Sequence, residues 1–395
     1  MTGPAQAGTA ERPGFQVMIL AGEASGDVKG GGLVEAVRRA SPAVRFWGAG
    51  GRRMREAGVE ILFDSAMLSV NGVVEAMVHA REIWYIYRRL KEALRARRPA
   101  LVVLIDFPDF NLFFARQVNR LGIPLLWYVS PQVWAWRRYR LRKIARRVSR
   151  MMVVFPFEVP LYREHGVSVD FVGHPLIDLA RPRLPREETL RKLDLDPGRP
   201  LIALLPGSRR SELRRIYPTL LRAAEIMASQ RPDLQFATPV ASTLGLEAVA
   251  GAAKEAGVPV ALAEKLTYEV VAAADAAAVA AGTATLECAL LETPMVMVYR
   301  VSRLTYLLRP IVDLEHYCLV NVLAKRTVVP ELIQRDCTPA RVAAATLELL
   351  GPEGAAQREA FAGVRAGLGE EGASARAAQV LLGMLSPASG EEAPA

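Results

Sequence analysis

Four short stretches combine residue types at spacings that suit chemistry on an anionic ligand. The first is Ala21-Gly22-Glu23-Ala24-Ser25-Gly26-Asp27. Glycines let a ligand approach the backbone closely, and a helix N-terminus attracts anions. The plainer reading is a tight turn with Asp27 as helix N-cap. The second is Asp106-Phe107-Pro108-Asp109-Phe110-Asn111. Its leading carboxylate suits a general base, whereas Asp109 or Asn111 suits a helix cap. The third is Leu205-Pro206-Gly207-Ser208-Arg209-Arg210. Gly-Ser frees backbone N–H groups, and an adjacent arginine grips phosphate with a bidentate fork. An ordinary loop is the alternative. The fourth is Gly282-Thr283-Ala284-Thr285-Leu286-Glu287. Glycine and two hydroxyls at a helix start form a diphosphate cradle, and Glu287 within the first turn can bind a ribose diol. The alternative is a plain cap. Ala284 stands three residues before Glu287, so any cap falls to Thr283 and the capping box is incomplete.

The elements that must position these stretches follow from short apolar runs alternating with amphipathic, helix-length segments. Strands are predicted at 15–20, 44–47, 101–105, 125–129, 151–155 and 170–172. A second series is predicted at 201–205, 235–238, 258–262, 276–280 and 295–298. Strand, helix, strand in this rhythm implies right-handed crossovers and parallel sheets covered on both faces. Each of the four stretches directly follows a predicted strand. Ligands in doubly wound sheets sit there, beyond the carboxyl ends. The predicted organisation is a tail at 1–14, a Rossmann-like α/β domain at 15–180, a Pro- and Arg-rich linker at 181–200, and a second Rossmann-like domain at 201–350. Helices at 351–385 and a tail at 386–395 complete it. The two doubly wound domains are expected to face a central cleft.

Composition narrows the partners. The 395 residues are 51% hydrophobic and 23% charged, which excludes wholesale disorder. No run approaches the roughly 18 apolar residues of a membrane span, and the first residues do not read as a secretory signal. Cys288, Cys318 and Cys337 form no C-x-x-C, so a reducing cytosol is expected. His79, His165, His174 and His316 show no zinc spacing, and Asp194-Leu195-Asp196 precedes a Pro-Gly turn, so no metal is expected. Gly48-Ala49-Gly50-Gly51 lacks the third glycine of a dinucleotide loop. The net charge is +9, and the segment 137–150 holds eight basic residues and no acid. Leu141, Ile144, Ala145 and Val148 share one helical face there, with Trp134, Trp136 and Tyr139 at its start. This pattern predicts that Arg137, Arg138, Arg140, Arg142, Lys143, Arg146 and Arg147 meet an anionic membrane surface. No nucleic-acid motif accompanies the charge.

The four stretches, with YVSPQVWAWR (Tyr128 to Arg137) and FVGHPL (Phe171 to Leu176), closely resemble the lipid-A-disaccharide synthases over residues 16 to 385. The resemblance implies a glycosyltransferase of GT-B fold whose C-terminal helices cross back to the first domain. Its expected substrates are UDP-2,3-diacylglucosamine and 2,3-diacylglucosamine 1-phosphate. Its products are a β-1,6-linked disaccharide phosphate and UDP. The mechanism expected is an inverting displacement without a metal or cofactor. The resemblance makes Asp106 the candidate base, and Arg209 and Asn321 further catalytic candidates. It places Gly207, Ser208, Arg209, Gly282, Thr283, Ala284 and Glu287 at the nucleotide-sugar, and Glu23, Ser25 and Asp27 on the acceptor side. It implies the cytoplasmic face of the inner membrane and leaves a homodimer open. The chain departs from the family pattern at Asn71, Arg303, Val320 and Lys325, the last two around Asn321, where loss of Pro and Gly is expected to free or redirect the loop. The rivals are a transferase using another UDP-sugar on a lipid-linked acceptor, a nicotinamide-dependent dehydrogenase, and a non-enzymatic basic lipid-binding protein.

Overall fold

The computed structural model describes residues 14–67, 80–134, 138–241, 243–254, 256–301 and 315–386. Two of the departures, Asn71 and Arg303, lie outside them, as do Trp136 and Arg137 of the basic segment.

The chain forms two compact units. The first holds a parallel sheet of seven strands, β1 (Gln16–Ala21), β2 (Arg45–Gly50), β3 (Glu60–Asp64), β4 (Leu101–Ile105), β5 (Leu125–Tyr128), β6 (Arg150–Val153) and β7 (Val169–Phe171). Their order is β3-β2-β1-β4-β5-β6-β7. The second holds a parallel sheet of six, β8 (Leu201–Leu205), β9 (Gln235–Val240), β10 (Ala261–Glu264), β11 (Ala276–Ala280), β12 (Met295–Tyr299) and β13 (Glu331–Ile333), in the order β10-β9-β8-β11-β12-β13. The inner strands are continuous apolar runs because helices cover both faces: β4, β8 and β11 are buried at every residue. The edge strands β3 and β13 were not foreseen, being short and mixed in polarity. Strand β10 begins later than the apolar run at 258, and Gly48 and Gly50, expected in a turn, lie within β2.

In each sheet the strand order reverses once, between β1 and β4 and between β8 and β11. These are the topological switch points where such sheets bind ligands. The four stretches singled out by residue type follow these four strands.

The division of the chain differs from the expected one. The first unit runs to Pro175 and takes in the residues from Gly372 onward; the second is Leu176–Glu371. The presumed linker is an integral part of the second unit. Its helix Arg186–Lys192 is tied there by Arg186, which donates to Asp275 at 3.0 Å and to the Ala273 carbonyl. Of the two C-terminal helices only Ala373–Leu385 joins the first unit, against the helix Ala24–Ala40, with Arg376 Nε donating to the Val172 carbonyl at 2.9 Å. The helix Pro352–Gly367 stays in the second, because Gln357 exchanges two hydrogen bonds with the Met295 backbone.

Candidate active site

The first switch point brings two of the motifs into contact. Asp106 directly follows β4, and both Asp106 and Phe107 adopt left-handed backbone, with φ of 47° and 46°. For non-glycine residues this costs on the order of 1–3 kcal/mol each, and such strain persists only where the surroundings enforce it. Asn111 does so here. Its buried Nδ2 donates to the carbonyls of Ile105 (3.2 Å) and Asp106 (2.7 Å), locking the turn from inside the helix Pro108–Arg120. Asn111 therefore fixes the Asp106 turn. The Phe107 ring lies over Gly22, where any Cβ would stand 2.3 Å from it. A side chain larger than hydrogen at 22 would displace the aspartate turn.

The partner of Asp106 is a residue not foreseen. Lys29, one turn into the helix Ala24–Ala40, places its Nζ 4.0 Å from Asp106 Oδ2, with only 8% of its side chain exposed. Burial, together with the Lys29 charge, pushes the imidazole of His174, the histidine of FVGHPL, down to about 3. It is neutral at physiological pH. The signal for Lys29 was a lone basic residue whose neighbours three and four positions away along the helix, Ser25, Gly26, Gly32 and Leu33, are all small or apolar. Nearby, Glu158 is buried and its carboxyl is pushed up to about 8 by desolvation, against hydrogen bonds that include Ser130.

Asp27, expected on the acceptor side, turns its carboxylate to the backbone of the next helix. Its Oδ1 accepts from the N–H groups of Gly51 (2.7 Å) and Met54 (3.0 Å), and its Oδ2 from Arg53 (2.9 Å). It caps the neighbouring helix Arg52–Glu56 instead of its own, and three backbone donors consume it. Glu23 occupies the N-cap of Ala24–Ala40 in extended conformation, and Ser25 follows in its first turn, both half-buried.

The second switch point carries two glycine turns. Gly207, with φ of 104°, leads into the helix Arg210–Gln230. The N–H groups of Ser208 and Arg209, expected to be free for phosphate, donate to Glu212 Oε2 at 3.0 and 3.2 Å. The Arg209 guanidinium reaches Glu212 Oε1 at 3.2 Å. Gly282, with φ of 143°, leads into the helix Thr283–Leu290. Here no side chain caps the helix; Thr285 Oγ1 turns back to the Gly282 carbonyl at 2.8 Å, and Thr283 is the first helical residue rather than the cap. Among the described residues nothing accepts from the Thr283 and Ala284 N–H groups, and Gly282 and Thr283 are exposed. Glu287 lies one turn further on, and burial pushes its carboxyl up to about 7.

Relatives identify this arrangement. The family model for lipid-A-disaccharide synthetase matches residues 17–380. The chain belongs to the lipid-A-disaccharide synthetase family. It is 44% identical to the lipid-A-disaccharide synthase of Geobacter sulfurreducens, covering 95% of this chain and 98% of that one. It is 46% identical to that of Syntrophus aciditrophicus, covering 93% and 97%. Among solved structures it is similar to the kitacinnamycin glycotransferase, with a TM-score of 0.64 at 18% identity over 95% of this chain and all (100%) of that one. The calicheamicin glycosyltransferase CalG4 gives 0.60 at 16% over 94% and 98%. These likenesses establish the fold of two Rossmann-like units, as in GT-B glycosyltransferases. The enzyme is a glycosyltransferase of lipid A biosynthesis.

Membership in this family makes the bonding of Asn321 informative. Asn321 is fully buried; its Nδ2 donates to the Val329 carbonyl and Glu331 Oε1, and its Oδ1 accepts from the Val328 and Val329 N–H groups, all at 2.8 Å. Its amide has no bond left for a nucleotide. It staples the loop that the Val320 and Lys325 departures were expected to free or redirect; Lys325 itself takes the left-handed conformation, with φ of 52°. The basic segment is also less uniform than its sequence. Its helix spans only Arg140–Ala145, Arg140 is buried in an ion pair with Asp109, and Arg150 pairs with Asp170 at 2.6 Å. Arg138, Arg142, Lys143 and Arg146 remain exposed, and Arg147 is half-buried. Among the described residues no three His, Cys, Asp or Glu could hold a metal ion, and no helix is long and apolar enough to cross a membrane.

Proposed function

We propose that the enzyme transfers the 2,3-diacylglucosaminyl group of UDP-2,3-diacylglucosamine to the 6-hydroxyl of 2,3-diacylglucosamine 1-phosphate. The observation that carries this reading is the Asp106 turn: a carboxylate at a switch point, on a strained backbone held by Asn111 and facing the buried Lys29 ammonium. Asp106 removes the hydroxyl proton as O6 attacks the anomeric carbon. The bond from that carbon to the UDP oxygen breaks, and UDP leaves with the electron pair. Attack opposite an α-linked UDP converts it to the β-1,6 product. In the second unit the Thr283 and Ala284 N–H groups receive the diphosphate, Glu287 holds the ribose, and Arg209 neutralises the departing charge, as fixed dipoles and cations do for leaving groups. No metal or cofactor has a part in this reading. Glu23 and Ser25 border the acceptor. The exposed Arg138, Arg142, Lys143 and Arg146 hold the protein on the anionic cytoplasmic face of the inner membrane, where both lipid substrates reside.

The test is incubation with both acylated substrates and mass spectrometry for the disaccharide phosphate and UDP. In Asp106→Ala, turnover is expected to fall at least ~100-fold while UDP binding persists, the low end of what a general base contributes. Turnover within a few fold of wild type would remove Asp106 from this role.

A further inference from the structure

A groove of about 220 Å³ lies in the first unit between the helix Pro108–Arg120 and the residues 139–147. Four cations line it, Arg116, Arg140, Lys143 and Arg147, with one carboxylate, Asp109, and Leu112, Phe113 and Tyr139 as apolar walls. The Asp109 carboxylate is committed to buried Arg140, and no acid pairs with the other three cations among the described residues. Arg147 is held in place, donating from Nη1 to the Leu112 carbonyl at 2.8 Å. Burial and the like charges of Arg116 and Arg146 hold its guanidinium below the usual arginine range. One carboxylate, paired with Arg140, thus faces four cations in a partly desolvated groove, an excess of positive charge that a bound anion would offset.

The walls indicate which anion. Phe113 is 45% exposed, and its ring meets Tyr87 at 4.9 Å; Tyr87 stacks on Trp84 at 5.2 Å, which is 54% exposed. Tyr139, 59% exposed, lies under the Lys143 ammonium at 5.5 Å. Exposed aromatic rings beside cations are the pattern of a surface at headgroup depth in a bilayer. We propose that this groove is a binding site for the phosphate of an anionic phospholipid headgroup, gripped by Arg116, Lys143 and Arg147, with Phe113, Tyr139 and Trp84 seated at the interface. The proposal deepens the membrane-surface reading above and rests on it. It replaces an even basic film by one shaped site.

The experiment measures sedimentation of the full-length protein with vesicles of phosphatidylglycerol and phosphatidylcholine. Two double variants remove equal charge: Arg116→Gln with Lys143→Gln inside the groove, and Arg138→Gln with Arg142→Gln outside it. The groove pair is expected to lower partitioning at least ~10-fold more than the outside pair. The difference should persist near 0.5 M salt, where screening weakens diffuse attraction more than a contact in a desolvated groove. Unchanged thermal melting of both variants establishes that they fold. Equal losses in the two pairs would overturn the groove and leave the membrane reading standing. No binding of wild type to anionic vesicles would overturn both. Release of wild type from vesicles by millimolar inorganic phosphate would assign the groove to a soluble anion and overturn the lipid assignment.

Discussion

The two glycine turns of the second unit look alike in sequence and differ in structure. Gly207-Ser208-Arg209 and Gly282-Thr283-Ala284 each follow an inner strand, open a helix and place a hydroxyl beside a glycine of positive φ. Yet the first is closed by its own acid. Glu212 sits so near that a Cβ on Gly207 would stand 2.2 Å from its Oε2. At Gly282 a Cβ would meet nothing within 4 Å. The cause is where each helix begins: both glutamates stand five residues after their glycine, but Glu212 is the third residue of Arg210–Gln230, whereas the third residue of Thr283–Leu290 is Thr285 and Glu287 is the fifth. A carboxylate at the third helical position folds back onto the orphan N–H groups, whereas one at the fifth cannot. Anion binding at a helix start therefore depends on what the first turn does with its own acids, as much as on the glycine.

The sharpest way to break this contrast is to remove an N–H group from the open turn. Thr283→Pro keeps the helix, since proline is favoured at the first helical position, but deletes one N–H and the hydroxyl. Hydrogen bonds to charged groups contribute about 1.5–3 kcal/mol each, and about 1.4 kcal/mol is tenfold. UDP affinity by calorimetry should fall ~10- to 100-fold. Unaltered affinity would mean that the diphosphate binds elsewhere.

What the sequence disclosed follows the same logic. The inner strands announce themselves as continuous apolar runs, so both sheets and the place of all four motifs were legible. The edges β3 and β13 were not, because one exposed flank dilutes the apolar signal. Residue type marked Asp106, Gly282 and Glu287 correctly as lying at switch points. The resemblance put Asp27 on the acceptor side and Asn321 near the nucleotide; in the structure their side chains bond backbone groups distant in sequence or across a loop. Residue type passed over Lys29 and read Asn111 only as a possible helix cap, since nothing local states that a lysine will be buried or that an amide will lock a strained turn. Hydrogen-bond partners are set by the tertiary fold, and residue type alone leaves them open.

Glu287 tests the open turn through pH. Burial raises its folded carboxyl to about 7 from the ordinary 4.5. The native state therefore keeps its proton longer than the unfolded chain. The associated stability is fully present below about pH 4.5 and is lost as pH rises through 7, by at most about 3 kcal/mol at 1.36 kcal/mol per unit. Glu287→Gln should remove that slope, read as a smaller fall in melting temperature between pH 5 and 8. It should also weaken UDP binding at pH 8 by about tenfold, since a neutral amide accepts from the ribose less strongly than a carboxylate. Parallel melting curves for variant and wild type across that range would contradict the buried state of this carboxyl.

The smallest effect is expected at the closed turn. Glu212→Ala removes the acceptor of the Ser208 and Arg209 N–H groups and of the Arg209 guanidinium together. Losing the cap should cost about 1 kcal/mol of stability. If Glu212 occupies the place of a substrate phosphate, its removal deletes a competitor, and UDP affinity should rise about threefold although the protein is less stable. Binding that weakens instead would mean that the carboxylate orients Arg209 toward the ligand. The two glycine turns would then be alike in function, one presenting a backbone and the other a side chain held by its own acid.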